Sequence, residues 1–240
     1  MDIVITTFSK RISDIINLIP QLRNQTDSNI ILVINGEKDG KFIDEYRKNL
    51  LQFIVNYENV FPIFFLEIRG LSKLWNTGII HSISDDVLIL NDDVIVQDGF
   101  INECNKFIES DEYNGLCMIN TGFSYFIINK NIIEEINYFD ERFIGFGWED
   151  GDFSQRFINH YGVRSSSFQT NLIHNISSND THDNIKTAWG KYSSFNRDFA
   201  SIKYYNYFNS YFEWGAENFN TEKQYPYESY FTKEKQNLFI

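Results

Sequence analysis

Short, nearly continuous apolar runs punctuate the first part of the chain, at Ile3-Val4-Ile5, at Ile30 to Ile34 and at Ile63 to Leu66. A strand covered on one face alternates apolar and polar residues, whereas a strand covered on both does not. These runs therefore predict the buried strands of a largely parallel sheet. Between them the apolar positions fall three and four apart, at Ile12, Ile15, Ile16 and Ile19, then at Phe42, Tyr46, Leu50, Phe53 and Ile54. That is the spacing of amphipathic helices. Strand and helix alternate, which predicts an α/β fold.

The pattern continues with a helix over Leu71 to His81 and a strand over Val87 to Leu90 that ends abruptly in Asn91-Asp92-Asp93. After Val94 to Val96 a helix follows from about Gly99 to Phe107. Leu116 to Ile119 and Phe123 to Ile128 read as strands, and Asn131 to Ile136 as a helix, so the sheet is expected to be mixed. Gly145-Phe146-Gly147-Trp148 is a glycine-aromatic loop ahead of Glu149-Asp150-Gly151-Asp152, and Phe153, Phe157 and Ile158 then form a helical face. Beyond residue 176 the composition changes. Ser177 to Thr181 reads as a loop, and aromatic residues crowd the segment after Lys203.

Composition narrows the function classes. The 240 residues suit one large domain or a domain with an appendage. With 42% hydrophobic and 17% aromatic residues, a disordered chain is excluded. The formal net charge of −12 argues against a nucleic-acid partner, so a phosphate ligand calls for a local cation or a metal. The two cysteines, Cys104 and Cys117, are too few for a disulfide scaffold and suggest free thiols in a reducing, cytoplasmic setting. No apolar run reaches the roughly 18 residues that span a bilayer, so a soluble protein without a transmembrane segment is expected.

Three sites carry candidate chemistry. Carboxylates just past an apolar strand stand at the carboxyl edge of the sheet, where open α/β folds take ligands, so Asn91-Asp92-Asp93 is a candidate site for Mg2+ or Mn2+ with a diphosphate. An acidic turn explains the pair equally simply. Glu149, Asp150 and Asp152 lie at a helix start, where capping and dipole compensation account for some acidic residues but three exceed what a cap requires. Neighbouring negative charge and partial burial raise a carboxylate's proton affinity and suit it to general-base work. His174, at the end of the strand-like Leu172-Ile173-His174, is either a structural imidazole or a ligand.

Taken in order, these motifs resemble the GT-A glycosyltransferases, particularly the inverting family 2 type, over residues 1 to 176. Ile3 to Arg11 looks like the opening strand and nucleotide-binding loop, Ile31 to Gly36 like the second strand, and Leu71 to Gly78 like the helix preceding the metal motif. Asn91-Asp92-Asp93 is similar to the Asp-x-Asp motif, Thr121-Gly122-Phe123 and Phe139 to Phe143 continue the match, and Gly147 to Asp152 followed by Arg156 resembles the Glu-Asp-x-Asp motif.

The resemblance implies a Rossmann-like, mainly parallel sheet flanked by helices. It implies a nucleotide-sugar half over about residues 1–97 and an acceptor half over about 98–176. The aromatic density after Lys203 is too high for an exposed linker and predicts a C-terminal extension over 177–240 packed on the catalytic domain, with a homodimer as the second option. Asp93 and His174 would hold the metal. Thr6, Thr7, Phe8, Asn35, Lys73, Asn76, Asn91 and Asp92 would meet the nucleotide sugar, a UDP-sugar by preference.

Asp150 would be the catalytic base, Glu149 and Asp152 supporting groups, and Gly122 and Trp148 acceptor contacts. Trp148 reads equally well as a plug beneath its loop. The reaction implied is transfer of a sugar to a glycan or lipid-linked acceptor, the latter placing the protein at a membrane face. A catalytically silent sugar- or protein-binding module and a sugar nucleotidyltransferase are the alternatives, the latter disfavoured because Thr6 to Arg11 has no glycine.

Overall fold

The computed structural model describes residues 1–7, 12–36, 44–120, 122–176, 195–200 and 203. The apolar runs become strands: β1 Asp2–Thr7, β2 Ile30–Ile34 and β4 Asp86–Asn91 are largely buried, whereas β3 Val60–Phe64 is only half-buried, with Phe61 exposed. With β6 Leu116–Ile119, β7 Gly122–Asn129 and β8 Ser166–Phe168 they form a seven-stranded sheet in the order β3-β2-β1-β4-β7-β6-β8. Neighbours pair in parallel except where β7 runs antiparallel to both β4 and β6, so the sheet is mixed and mainly parallel, as expected. A separate two-stranded ribbon pairs β5 Val94–Val96 with β9 Ile173–Asn175.

The third apolar run was expected over residues 63–66, but β3 occupies Val60–Phe64 and includes Pro62. Register explains the shift: the five residues of β2 pair one for one with Val60 to Phe64. Proline is tolerated because β3 is an edge strand, where a missing N–H need not break a ladder.

The helices are α1 Ile12–Arg23, α2 Asp44–Ile54, α3 Leu71–His81, α4 Phe100–Ile108, α5 Lys130–Ile136 and α6 Glu149–Tyr161. Residues 195–200 are helical as well. None of the helices among the described residues is long and apolar enough to cross a membrane.

The chain divides into two compact units, and the division is not sequential. The first unit comprises 1–68, 77–131 and 166–177 and contains the whole sheet. Its core joins Ile3, Ile5, Leu32, Leu88 and Leu90 of the strands to Ile15 and Leu18 of α1 and Phe100 of α4. Gly78 is needed there because a Cβ at that position would lie 2.2 Å from Val4 Cγ1. At the amino end of β1, the buried Asp2 carboxylate accepts hydrogen bonds from the Ile83 and Ser84 amides and from the hydroxyl of Ser82. Burial opposes its charge, but these donors hold the carboxyl below its usual range.

Among the described residues, the second unit comprises 69–76, 132–165, 195–200 and 203. Phe139 is fully buried in it, stacked on Phe153 with ring centroids 4.1 Å apart and tilted against Trp75 at 4.9 Å.

Candidate active site

In the first unit the strand order reverses at β1: β2 and β3 lie on one side, β4 and the rest on the other. Loops leave in opposite directions from such a switch point, so a crevice opens beyond the carboxyl ends of the strands. Thr6 stands there beside Asn91, its partner on β4. Both Thr6 and Thr7 are buried, and neither Oγ1 has a hydrogen-bond partner among the described residues. A buried hydroxyl left unpaired is costly unless a ligand satisfies it. Asn35, also buried, donates its N–H to the Thr7 carbonyl at 3.1 Å and accepts the Gly36 N–H on Oδ1 at 2.9 Å. Gly36 itself packs so closely on the Glu67 backbone that a Cβ would come within 2.1 Å of its carbonyl oxygen. Phe8 lies outside the described residues.

Past Asn91 the chain turns into the ribbon. Asp92 is buried, Asp93 half-buried, and the alternation continues with buried Val94 and Val96 on either side of half-buried Ile95. His174 lies directly opposite Ile95, and the Ile176 N–H donates to the Asp93 carbonyl at 2.7 Å, extending the ladder by one pair. Side chains alternate faces along a strand, and opposed residues share a face. Asp93 and His174 therefore occupy the same, more open face of the ribbon as diagonal neighbours. His174 is exposed and lines an open cavity of about 850 Å³ together with Glu103, Asn120 and Tyr125. Among the described residues no group of three or more His, Cys, Asp or Glu gathers as a metal cage. What the ribbon offers is a carboxylate and an imidazole.

Gly122 opens β7 opposite Ile119, and a Cβ there would meet only ordinary contacts. No conformational demand accounts for that glycine.

In the second unit the acidic cluster begins α6. Gly147 and Trp148 both have positive φ, 99° and 80°, so the chain enters the helix through a corner that an indole-bearing residue rarely adopts. Trp148 packs, with Phe199, against the small buried cluster of Phe143 and Ala200. The three carboxylates then meet three different environments.

Asp150 is half-buried and accepts the Gly151 N–H at 2.8 Å. Glu149 is buried, and its Oε2 has no hydrogen-bond partner among the described residues. Burial, with the Asp150 charge beside it, pushes its carboxyl up to about 8, although the Gly147 amide pulls the other way. Asp152 is wholly buried, held by Arg156 Nε at 3.0 Å and by Lys203 Nζ at 2.6 Å.

Asp152 was expected to support the base or the acceptor; both of its oxygens are engaged in buried ion pairs, which fasten α6. Lys203 also reaches Asp140 at 2.7 Å, and Arg142 chelates the same carboxylate through Nε and Nη2. Burial raises Asp140, but Lys203 and Arg142 outweigh it and bring the carboxyl down to about 2. Arg156 completes the mesh by donating to the carbonyls of Ile136, Asn137 and Tyr138 at the end of α5.

Asn76 was expected to meet the nucleotide sugar. It is fully buried, with Nδ2 donating to the Phe139 carbonyl and Glu141 Oε1 at 2.8 and 2.9 Å and Oδ1 accepting the Phe139 N–H at 3.0 Å. Its amide joins α3 to the 139–141 segment. Lys73 pairs with Glu141 at 3.3 Å.

Sequence reasoning missed Lys203 and Asn196, both beyond the last motif it used. Asn196 is fully buried and grips the loop before α6: its Oδ1 accepts the Ile144 N–H at 2.9 Å, and its Nδ2 donates to Ile144 O at 2.9 Å and Gly147 O at 2.7 Å. A lone lysine and a lone asparagine in a polar stretch carry no pattern that marks them as buried.

Against known proteins, the model of the family described as glycosyl transferase family 2 matches residues 2–200. No curated protein matches the sequence. Among solved structures, the mannosyltransferase PcManGT from Pyrobaculum calidifontis, in complex with GDP-Man and Mn2+, superposes with a TM-score of 0.62 at 11% identity, over 83% of this chain and 63% of that one. S. aureus TarS 1–349 gives a TM-score of 0.58 at 13% identity, over 88% of this chain and 76% of that one. The same protein in complex with UDP gives 0.53 at 13%, over 71% and 61%. At these identities the likeness is one of fold, and the chain spans somewhat under two thirds of the mannosyltransferase's length.

Proposed function

The chain belongs to glycosyl transferase family 2 and has a GT-A fold, and from that premise we propose that it moves a sugar from a nucleotide diphosphate donor to a hydroxyl of a glycan or lipid-linked acceptor, with inversion at the anomeric carbon. The observation that carries the reading is the shared ribbon face of Asp93 and His174. A carboxylate and an imidazole so placed fit a divalent cation that keeps its other positions for water and phosphate oxygens. The mixed oxygen and nitrogen set suits Mn2+ better than Mg2+, which prefers oxygen alone. When bound, such a cation neutralises the charge that develops on the departing diphosphate.

The chain's own groups do the rest. Thr6, Thr7 and Asn91 line the carboxyl edge at the switch point, where the two unpaired hydroxyls have hydrogen bonds to give to a nucleotide. UDP is the nucleotide tested first, because a TarS structure holds it. Asp150 accepts the proton of the acceptor hydroxyl as that oxygen bonds to the anomeric carbon and the bond from this carbon to the diphosphate oxygen breaks. Glu149, whose carboxyl burial pushes up, stands beside Asp150 at the start of α6.

The proposal is tested by incubating the protein with a panel of UDP- and GDP-sugars with and without Mn2+ and measuring release of nucleoside diphosphate. Mn2+-dependent release that is lost in Asp93→Ala supports it. Metal-independent release, or none with any donor, rejects it.

A further inference from the structure

Asn120 occupies the turn between β6 and β7 with φ of 52°, a left-handed conformation that asparagine tolerates better than most residues. Its backbone N–H donates to the Phe168 carbonyl at 3.0 Å, so the turn is already tied to the end of β8. The side chain then spans the loop that leads into β9. Oδ1 accepts the Thr170 N–H at 2.8 Å, and Nδ2 donates to the Thr170 carbonyl at 2.9 Å and the Ile173 carbonyl at 3.3 Å.

Ile173 opposes Val96 in the ribbon, while the flanking pairs Gln97 with Leu172 and Asp93 with Ile176 carry ladder hydrogen bonds. In an antiparallel ladder, bonded and non-bonded pairs alternate. The Ile173 carbonyl thus points away from β5, and Asn120 is what receives it. Thr170 is held from its other side, its hydroxyl donating to Glu103 at 2.6 Å and accepting the Leu172 N–H at 3.1 Å.

We propose that Asn120 is a positioning residue for the divalent cation: by clamping the residue before His174, it fixes the imidazole on the ribbon face it shares with Asp93. The inference rests on the metal assignment made above. Three features single out this side chain from an ordinary turn asparagine. It bonds both edges of one peptide loop, it ends on the carbonyl adjacent to the ligand residue, and it lines the same open cavity as His174. Partners that orient a metal ligand typically affect affinity by about 10- to 100-fold when removed.

The test measures Mn2+ binding directly, from the free-Mn2+ signal in electron paramagnetic resonance, using the full chain and the metal alone. Asn120→Gly keeps the left-handed turn and removes the clamp, so Kd for Mn2+ should rise about tenfold or more. Asn120→Asp keeps the acceptor for the Thr170 N–H but loses both donors, and should weaken Mn2+ as well; it carries the comparison if the glycine variant does not fold. Ile119→Val, a core truncation in β6, should lower the melting temperature without moving Kd.

Wild-type Mn2+ affinity in the Asn120 variants overturns the inference while leaving the metal site intact, and so does equal weakening in Ile119→Val at matched loss of stability. If His174→Ala itself binds Mn2+ like the wild type, the metal assignment fails and the inference falls with it.

Discussion

Asp93 and His174 are separated by eighty residues of chain yet share one face of a two-stranded ribbon, because His174 sits opposite Ile95 and Asp93 lies two positions before it. The register is pinned by the Ile176 amide on the Asp93 carbonyl and the Gln97 amide on the Leu172 carbonyl. A one-residue slip would turn His174 to the buried side with Val94 and Val96.

Asp93→Ala should therefore abolish Mn2+-dependent transfer while leaving the melting temperature nearly unchanged, since a half-buried carboxylate at a strand end contributes little packing. His174→Ala should leave activity at saturating Mn2+ but raise the Mn2+ requirement by about 10-fold or more. A Mn2+ titration of donor turnover checks both, and an unchanged titration in His174→Ala returns that residue to a structural role.

Asp150→Asn removes the acceptor for the proton without changing the size of the side chain. Turnover should fall by about 10²-fold or more with donor affinity preserved. Calorimetric titration with the nucleotide separates the outcomes, because an equal loss of donor binding would mean that Asp150 holds the substrate.

Glu149 supplies a pH test of stability. Its carboxyl titrates near 8 in the folded chain and near 4.5 when unfolded. Between those values the folded state binds the extra proton, so rising pH favours unfolding across that window and the contribution present below about 4.5 is lost by about 8. Glu149→Gln should flatten the pH dependence of the melting temperature over this range relative to wild type. The same slope in both proteins would place Glu149 in water.

Lys203 neutralises two buried carboxylates. Lys203→Met keeps the volume and deletes the charge, taking one cationic partner from each of Asp140 and Asp152. Loss of one partner from a buried pair costs about 3–5 kcal/mol, which denaturant unfolding will measure. In the wild type, Asp140 adds an acid limb. Its carboxyl is lowered from 3.8 to about 2, so stability present above about 3.8 is lost as the pH falls through 2. The Lys203→Met variant should lose much of that limb, and a denaturation midpoint unchanged from wild type would show that the lysine is not buried against these groups.

The sequence by itself determined the strands whose two faces are covered, because burial on both faces writes itself as unbroken apolar runs such as Ile30 to Ile34. It also determined the order of the acidic and histidine motifs, because their spacing along the chain survives folding. It misplaced β3, since an edge strand takes its limits from its neighbour's register rather than from its own hydrophobicity.

Tertiary structure alone decided which polar residues remain available. Glu149, Asp150 and Asp152 read as one acidic cluster, yet Lys203 and Arg156 bind Asp152, burial pushes the Glu149 carboxyl up, and Asp150 alone of the three is only half-buried. Asn76 and Asn120 are likewise indistinguishable from surface asparagines until the chain folds. What makes them brackets is a set of backbone carbonyls and amides dozens of residues away, brought within hydrogen-bond reach by packing that no local pattern records.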